Sequence, residues 1–132
     1  MNNTWKYRIE LKTFDVFENI SKRINVDFPS DLKDFIIKNN AASPVHDRIH
    51  INGVERVYGE TLSFNTEEIE ATTYYAVAEI VDNTKYIPFA LDPFGNIFCY
   101  SIANNRIAFY DHEEQKIEIT GLDLKTFISL LY

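Results

Sequence analysis

The chain has 132 residues, 45% hydrophobic and 25% charged, which is enough for one core and ordinary for a globular fold. Its net charge of −7 is uneven, with eight Lys/Arg against seven Asp/Glu in residues 1–52 and five against thirteen in residues 53–132. That carboxylate excess argues against direct binding of nucleic acid, whose phosphates need a basic stripe, and is compatible with a basic protein partner or simply with solubility.

One cysteine excludes an intrachain disulfide and any multi-cysteine zinc site, and it fits a reducing compartment. The opening "MNNTWKYRIELK" lacks the apolar run of a signal peptide, and no stretch approaches the roughly 20 apolar residues of a membrane helix. The expectation is a cytoplasmic protein with no membrane contact. Ten Phe, eight Tyr and one Trp are many for this length, and suit strands, cores and interfaces alike.

In chain order, "KYRIEL" alternates Tyr7, Ile9 and Leu11 and predicts a short strand. "TFDVFENISKRI" predicts a helix capped at Thr13, with Phe14, Phe17, Ile20, Ser21 and Ile24 along one side. "PSDLKDFIIKNN" predicts a second helix, with Pro29 in its first turn, Asp31 and Asp34 near its positive end and Leu32, Phe35 and Ile36 on one face. A polar loop, "NNAASPVHD", comes next. "RIHI-NG-VERVYG" is the strongest hairpin signal, because Asn-Gly suits a two-residue turn that needs positive φ. From about Thr66 the chain reads as a third helix with Ile69, Thr73, Val77 and Ile80 on one side, although Thr72, Thr73 and Tyr74 tolerate a strand equally.

"YIPFALDPFGNIFCYS", residues 86–101, alternates on both sides of "DPFGN" and reads as a hairpin with a three- to five-residue loop. "RIAFYDH" and "KIEIT" supply a third and a fourth strand, and "LDLKTFISLLY" a last helix with Leu124, Phe127, Ile128 and Leu131 inward. The expectation is a single α+β domain over 1–132, residues 1–12 being an N-terminal extension or short edge strand. It has an antiparallel-rich mixed sheet with hairpins, flanked by about four helices.

Asp92, Asn96, Cys99, Asp111, His112, Glu113 and Glu114 crowd into this later part and raise the question of metal or acid–base chemistry. In a strand, however, Asp111 and Glu113 point away from the face of His112, so without a bulge they do not converge on one ion with it. A polar strand end bonded to a neighbouring loop explains them as well. His46 and His50 have a ligand spacing only on a helix, and here they lead into a hairpin. Cys99 sits in an apolar strand, where cysteine behaves as a small hydrophobe. Phosphate-binding glycine loops and nucleophile elbows are absent from the sequence. The remaining class is a binding module. Candidate exposed aromatics are Tyr58, Tyr74, Tyr75, Phe94 and Tyr110, and candidate contacts are Glu67, Glu68, Glu70, Tyr74, Tyr75 and Glu114.

In order, "FPSDLKDFIIKNN", "VYGETLSFN", "YIPFALDPFGNIFCYS", "IAFYDHE" and "FISLLY" resemble the SUKH superfamily, the Smi/Knr-type domain, from about residue 14 to the end. Where that family often has Asn-Gly-Gly after the second helix, this chain has "NNAAS", with Asn40 still placed to cap. The resemblance implies a non-enzymatic α+β domain without cofactors. Its bacterial members commonly neutralise a cognate toxin, often a nuclease. The regulatory branch binds an endogenous cell-wall or signalling partner instead. The family motif matches at Pro29, Ile87, Pro88, Asp92, Gly95, Asn96, His112 and Glu113, which are read as fold-defining. A monomer and a homodimer are both compatible with these features.

Overall fold

The computed structural model describes residues 3–65 and 73–132. Its elements run β1 (Trp5–Lys6), α1 (Asp15–Ile24), α2 (Ser30–Asn39), β2 (Ser43–Pro44), β3 (Arg48–Ile51), β4 (Val54–Val57), β5 (Glu60–Thr61), α3 (Tyr74–Ala78), β6 (Tyr86–Leu91), β7 (Ile97–Ser101), β8 (Arg106–Asp111), β9 (Lys116–Ile119) and α4 (Leu124–Ser129). The main sheet has the order β5-β6-β7-β8-β9, and two-stranded pairs β1-β2 and β3-β4 accompany it. Among the described residues every strand pairing is antiparallel, and the parallel element expected of the sheet is one bridge, Ser63–Thr73. This is an α+β arrangement.

All five residues of β7 are buried, so both faces of the sheet centre are covered. On one face Phe98 meets the rings of Tyr58, Phe109 and, from α4, Phe127 at centroid distances of 5.5, 5.2 and 5.5 Å. Phe35 of α2 meets Phe89 on the same side. A register shift between Pro88 and Ala90 makes Phe89 the extra residue of a bulge. The bulge turns Phe89 toward Phe35 and Phe127, and it sits beside Pro88, which has no N–H to give a ladder. The other face carries Cys99, paired across the ladder with Pro88 and Ala108, and has Tyr74 of α3 close by.

Several elements depart from expectation. The first strand is Trp5–Lys6, not the alternating run after it, because Trp5 packs edge-on against Phe35 and Tyr58 while Tyr7 is 77% exposed. Thr13 does not cap α1. Phe14 holds the cap position without a side-chain bond and is exposed. Pro29 precedes α2 as its N-cap residue, and its carbonyl accepts from Lys33 N at 3.0 Å. The loop after α2 contains β2, paired with β1. Of the third helix, residues 66–72 lie outside the described residues. The part beyond them is the short α3, with Val77 buried and, just past its end, Ile80 exposed. In α4, Leu124 and Phe127 point inward as expected and Leu131 just beyond is buried, while Ile128 is half-buried. The helix is capped by Asp123, whose side chain accepts from Thr126 N at 2.8 Å.

Asn40 ends α2, but its side chain does not cap that helix. It is fully buried, donates to Ile9 O at 3.0 Å and accepts from Phe64 N at 2.7 Å, tying the N-terminal segment to the chain after β5. Asn65 repeats the device, donating to Glu10 O and accepting from Lys12 N. After Asn40, Ala41 has φ +61°, where the Cβ of an L-residue is strained. Ala41→Gly therefore relieves strain at a small entropic cost. We expect a gain of about 1 kcal/mol, or a melting temperature higher by about 3 °C. An unchanged or lower value in a thermal melt would refute strain at Ala41.

Tyr132 pairs through its backbone with Arg48 and stacks on His50. Its hydroxyl donates to Glu55 Oε2 at 2.7 Å, so the 3.0 Å contact with His50 Nδ1 requires that nitrogen to carry the proton. Arg48 closes the cluster on Glu55 Oε1 at 2.9 Å. The Tyr132 hydroxyl, then Arg48, hold the Glu55 carboxyl below its ordinary pKa although the side chain is exposed. The sign comes from linkage: a lowered folded pKa adds stability above the unfolded value and loses it as pH falls through the folded one. Glu55→Gln should lower the melting temperature at neutral pH, with the gap closing below the ordinary glutamate range. A gap that stays constant with pH would rule out this linkage.

Candidate functional site

The residues that drew attention in the sequence meet where the β6–β7 and β8–β9 loops touch. Asp92 is 6% exposed and organises the first loop. One carboxylate oxygen accepts from Phe94 N at 2.9 Å and Asn96 N at 2.8 Å, and the other from Asn96 Nδ2 at 2.8 Å. The backbone closes the same loop with Asp92 N donating to Asn96 O at 3.0 Å. Pro93 can fix φ after Asp92, and Gly95 supplies φ +88°, a region closed to most side chains.

Asn96 then reaches the second loop. Its Oδ1 accepts from His112 N at 3.1 Å and lies 2.9 Å from His112 Nδ1. The amide orientation is determined twice: a carboxylate only accepts from Nδ2, and a backbone N–H only donates to Oδ1. His112 Nδ1 must therefore donate, which leaves Nε2 as the acceptor of the neutral ring. That ring lies 3.5 Å from the position a Cβ on Gly95 would take. The second loop is closed by Asp111, whose Oδ1 accepts from Glu113 N at 3.0 Å and Glu114 N at 3.2 Å.

Asn96, and no carboxylate, orients the imidazole, and an amide does not relay protons. Asp92 Oδ1 and Oδ2 are both engaged within their own loop. The one thiol, Cys99, is fully buried and its pKa is pushed well up by desolvation, the reverse of what a nucleophile needs. Among the described residues no group of three or more His, Cys, Asp or Glu is placed to hold a metal ion. His46 lies in a bend before β3 and His50 within the strand, so the four-residue spacing does not fall on a helix.

The expected motif positions fall in three parts of the fold. Asp92, Gly95, Asn96, His112 and Glu113 belong to the loop pair. Ile87 and Pro88 lie buried in β6 opposite Tyr100 and Cys99. Pro29 starts α2. The contact candidates fare unevenly. Tyr74 is corrected: it is fully buried, stacked on Phe64 at 5.1 Å and edge-on to Tyr75. Burial pushes its hydroxyl up to about 12, and the neighbouring Arg23 opposes that rise without a hydrogen bond of ordinary geometry. Tyr58 is likewise buried, with its hydroxyl 2.6 Å from Thr61 Oγ1. Tyr75 and Tyr110 are half-buried, Phe94 is 70% exposed, and Glu114 is exposed beside Lys116. Glu67, Glu68 and Glu70 lie outside the described residues. The cross-strand cluster of Arg48, His50, Glu55 and Tyr132 is not among the sequence expectations, although the strand alternation already sets His50 opposite Glu55.

Gly95→Val combines positive φ, β-branching and the neighbouring imidazole, and should cost about 2 kcal/mol or more. Asn96→Ala should cost about 1–3 kcal/mol by leaving Asp92 Oδ2 and the His112 N–H without their partner. Denaturant unfolding of both variants checks this. Wild-type stability in either would show that the loops do not depend on these contacts.

Among the described residues no helix is long and apolar enough to cross a membrane. No curated protein matches the chain. The model of the SMI1 / KNR4 family (SUKH-1) matches residues 13–130, nearly the whole length, and the chain belongs to that family.

Proposed function

We propose that the chain is a non-enzymatic immunity protein that binds a cognate bacterial toxin domain and blocks it by occupying its surface. The observation that carries this reading is that the polar groups which could have done chemistry are engaged in holding loops. Asp92, Asn96 and His112 bond one another and the backbone, and Cys99 is sealed in the sheet. A domain of this family built that way offers a rigid surface in place of a reactive one. Preorganised surfaces lose little entropy on binding. The exposed Phe94, held on a loop fixed at both ends, is the kind of aromatic that anchors interfaces.

Charge supports a basic partner. Residues 53–132 carry a net −8, from five basic and thirteen acidic side chains, and opposite charge on a toxin would steer encounter. Basic charge is what a nuclease needs for its own substrate. On this reading the protein works in the cytoplasm of the cell that makes the toxin.

The test is capture of the toxin domain encoded beside this chain by the immobilised protein, with salt titrated. Tight stoichiometric binding, with an on-rate that falls as salt rises, is expected. The charge reversal Glu67→Lys/Glu68→Lys/Glu70→Lys should slow association further. An unchanged on-rate with unchanged salt dependence would exclude that patch. Absence of binding would move the chain to the regulatory branch of the family, with an endogenous cell-wall or signalling partner.

A further inference from the structure

Away from the loop pair, the connector between α1 and α2, the β7–β8 turn and the start of α4 enclose an open groove of about 790 Å³. Val26, Phe28 and Ile102 supply apolar wall, and Val26 is 49% exposed. Three lining residues are aspartates, Asp27, Asp31 and Asp123, against one basic residue, Arg106. Among the described residues no ion pair joins Arg106 to any of the three. Its guanidinium instead donates to Asn105 O at 3.4 Å.

Two of these carboxylates are held in place by the fold. Both oxygens of Asp31 face the Tyr100 hydroxyl, at 3.0 and 3.2 Å, which ties α2 to the centre of β7. Asp123 is fixed by its bond from Thr126 N at the start of α4. Asp31 Oδ1 also accepts from Leu32 N at 2.9 Å, so its remaining acceptor capacity lies on Oδ2, and Asp123 likewise keeps capacity for a further donor, since a carboxylate offers about four acceptor sites. The groove therefore combines an apolar wall, a net negative lining and carboxylates that need no reordering to receive a cation.

We propose that this groove receives an arginine side chain, flanked by apolar residues, from a segment of the protein partner. Arginine fits better than a simple cation because its planar fork can engage two carboxylates at once while its stem lies along apolar wall. A segment rich in glutamate or aspartate would meet like charge and be rejected. The inference rests on the reading of the chain as a partner-binding protein and adds to it the place and the chemistry of one contact.

The test uses the full chain labelled with 15N and a blocked tripeptide, Leu-Arg-Leu, with Leu-Glu-Leu as control. The arginine peptide should shift the amide resonances of residues 26–31 and 101–106 saturably at millimolar concentration, and the glutamate peptide should not. The double variant Asp27→Asn/Asp123→Asn should weaken binding about tenfold. The amide introduced at position 123 retains an oxygen for the Thr126 N–H, so the fold should persist, which a thermal melt verifies. No shift with the arginine peptide, equal shifts with both peptides, or undiminished binding by the double variant would overturn the proposal. Failure of toxin capture with peptide binding intact would remove the immunity reading alone. Toxin binding undiminished in the double variant would remove the groove alone.

Discussion

One amide holds the two loops at this end of the sheet together. Asn96 donates from Nδ2 to the Asp92 carboxylate, and its Oδ1 accepts from the backbone and ring of His112 at once. Asp92 in turn holds the backbone of the loop that carries Asn96. The β6–β7 hairpin is thus closed by its own acid, and the β8–β9 hairpin is pinned to it by its histidine. Since β7 and β8 are already paired residue by residue, the side-chain bridge adds orientation more than cohesion. It determines how the loops, and Phe94 with them, face solvent.

Neutral amides recur where distant segments are joined. Asn40 and Asn65 bind residues 9–12 to the chain at 64–65, as Asn96 binds the loops. The ion pairs Lys22–Glu18, Arg48–Glu55 and Lys116–Glu114, by contrast, lie on the surface, with side chains two-fifths or more exposed. Such pairs are each worth about 0–1 kcal/mol. Burying an amide that makes all its hydrogen bonds avoids the desolvation penalty of a buried charge while still demanding one geometry. An acidic chain gains from this division. The surface ion pairs respond to salt, while the links between distant segments rest largely on neutral amides and on buried carboxylates such as Asp92 that are screened much less.

Much of this was legible from residue order. The β6–β9 meander comes from alternation and turn residues within about forty positions, and the Asn52-Gly53 turn, with φ +51° and +81°, is a local matter. The strand ends at Asp111, so the alternation expected to set Asp111 and Glu113 apart from His112 does not apply; all three belong to the β8–β9 turn or its edge, where Asn96 holds the ring and Asp111 closes the turn. What local pattern could not supply depends on partners far along the chain. The strand at Trp5–Lys6 exists because Trp5 finds Phe35 and Tyr58, and its partner β2 lies in what reads as a polar loop. Tyr74 looks available beside acidic residues, yet it is core because Phe64 stacks on it. The groove around Asp31 joins residues from positions 26 to 123, a separation no periodicity reports.

Asp31 shows how fold and recognition can share one residue without conflict. As a first-turn acid of α2 it suits the helix dipole, and as acceptor for Tyr100 it anchors that helix to the sheet. Tyr100 stays a neutral donor because burial, then Asp31 itself, pushes its hydroxyl far above the usual range. The carboxylate is therefore oriented and incompletely satisfied, at the edge of an open groove. Replacing it would alter helix docking and surface together, whereas Asp27 is exposed and Asp123 can become asparagine with an oxygen left to cap α4. On the proposed reading, that arrangement lets a fixed acid define where a partner makes contact while the exposed Asp27 beside it tunes what is accepted.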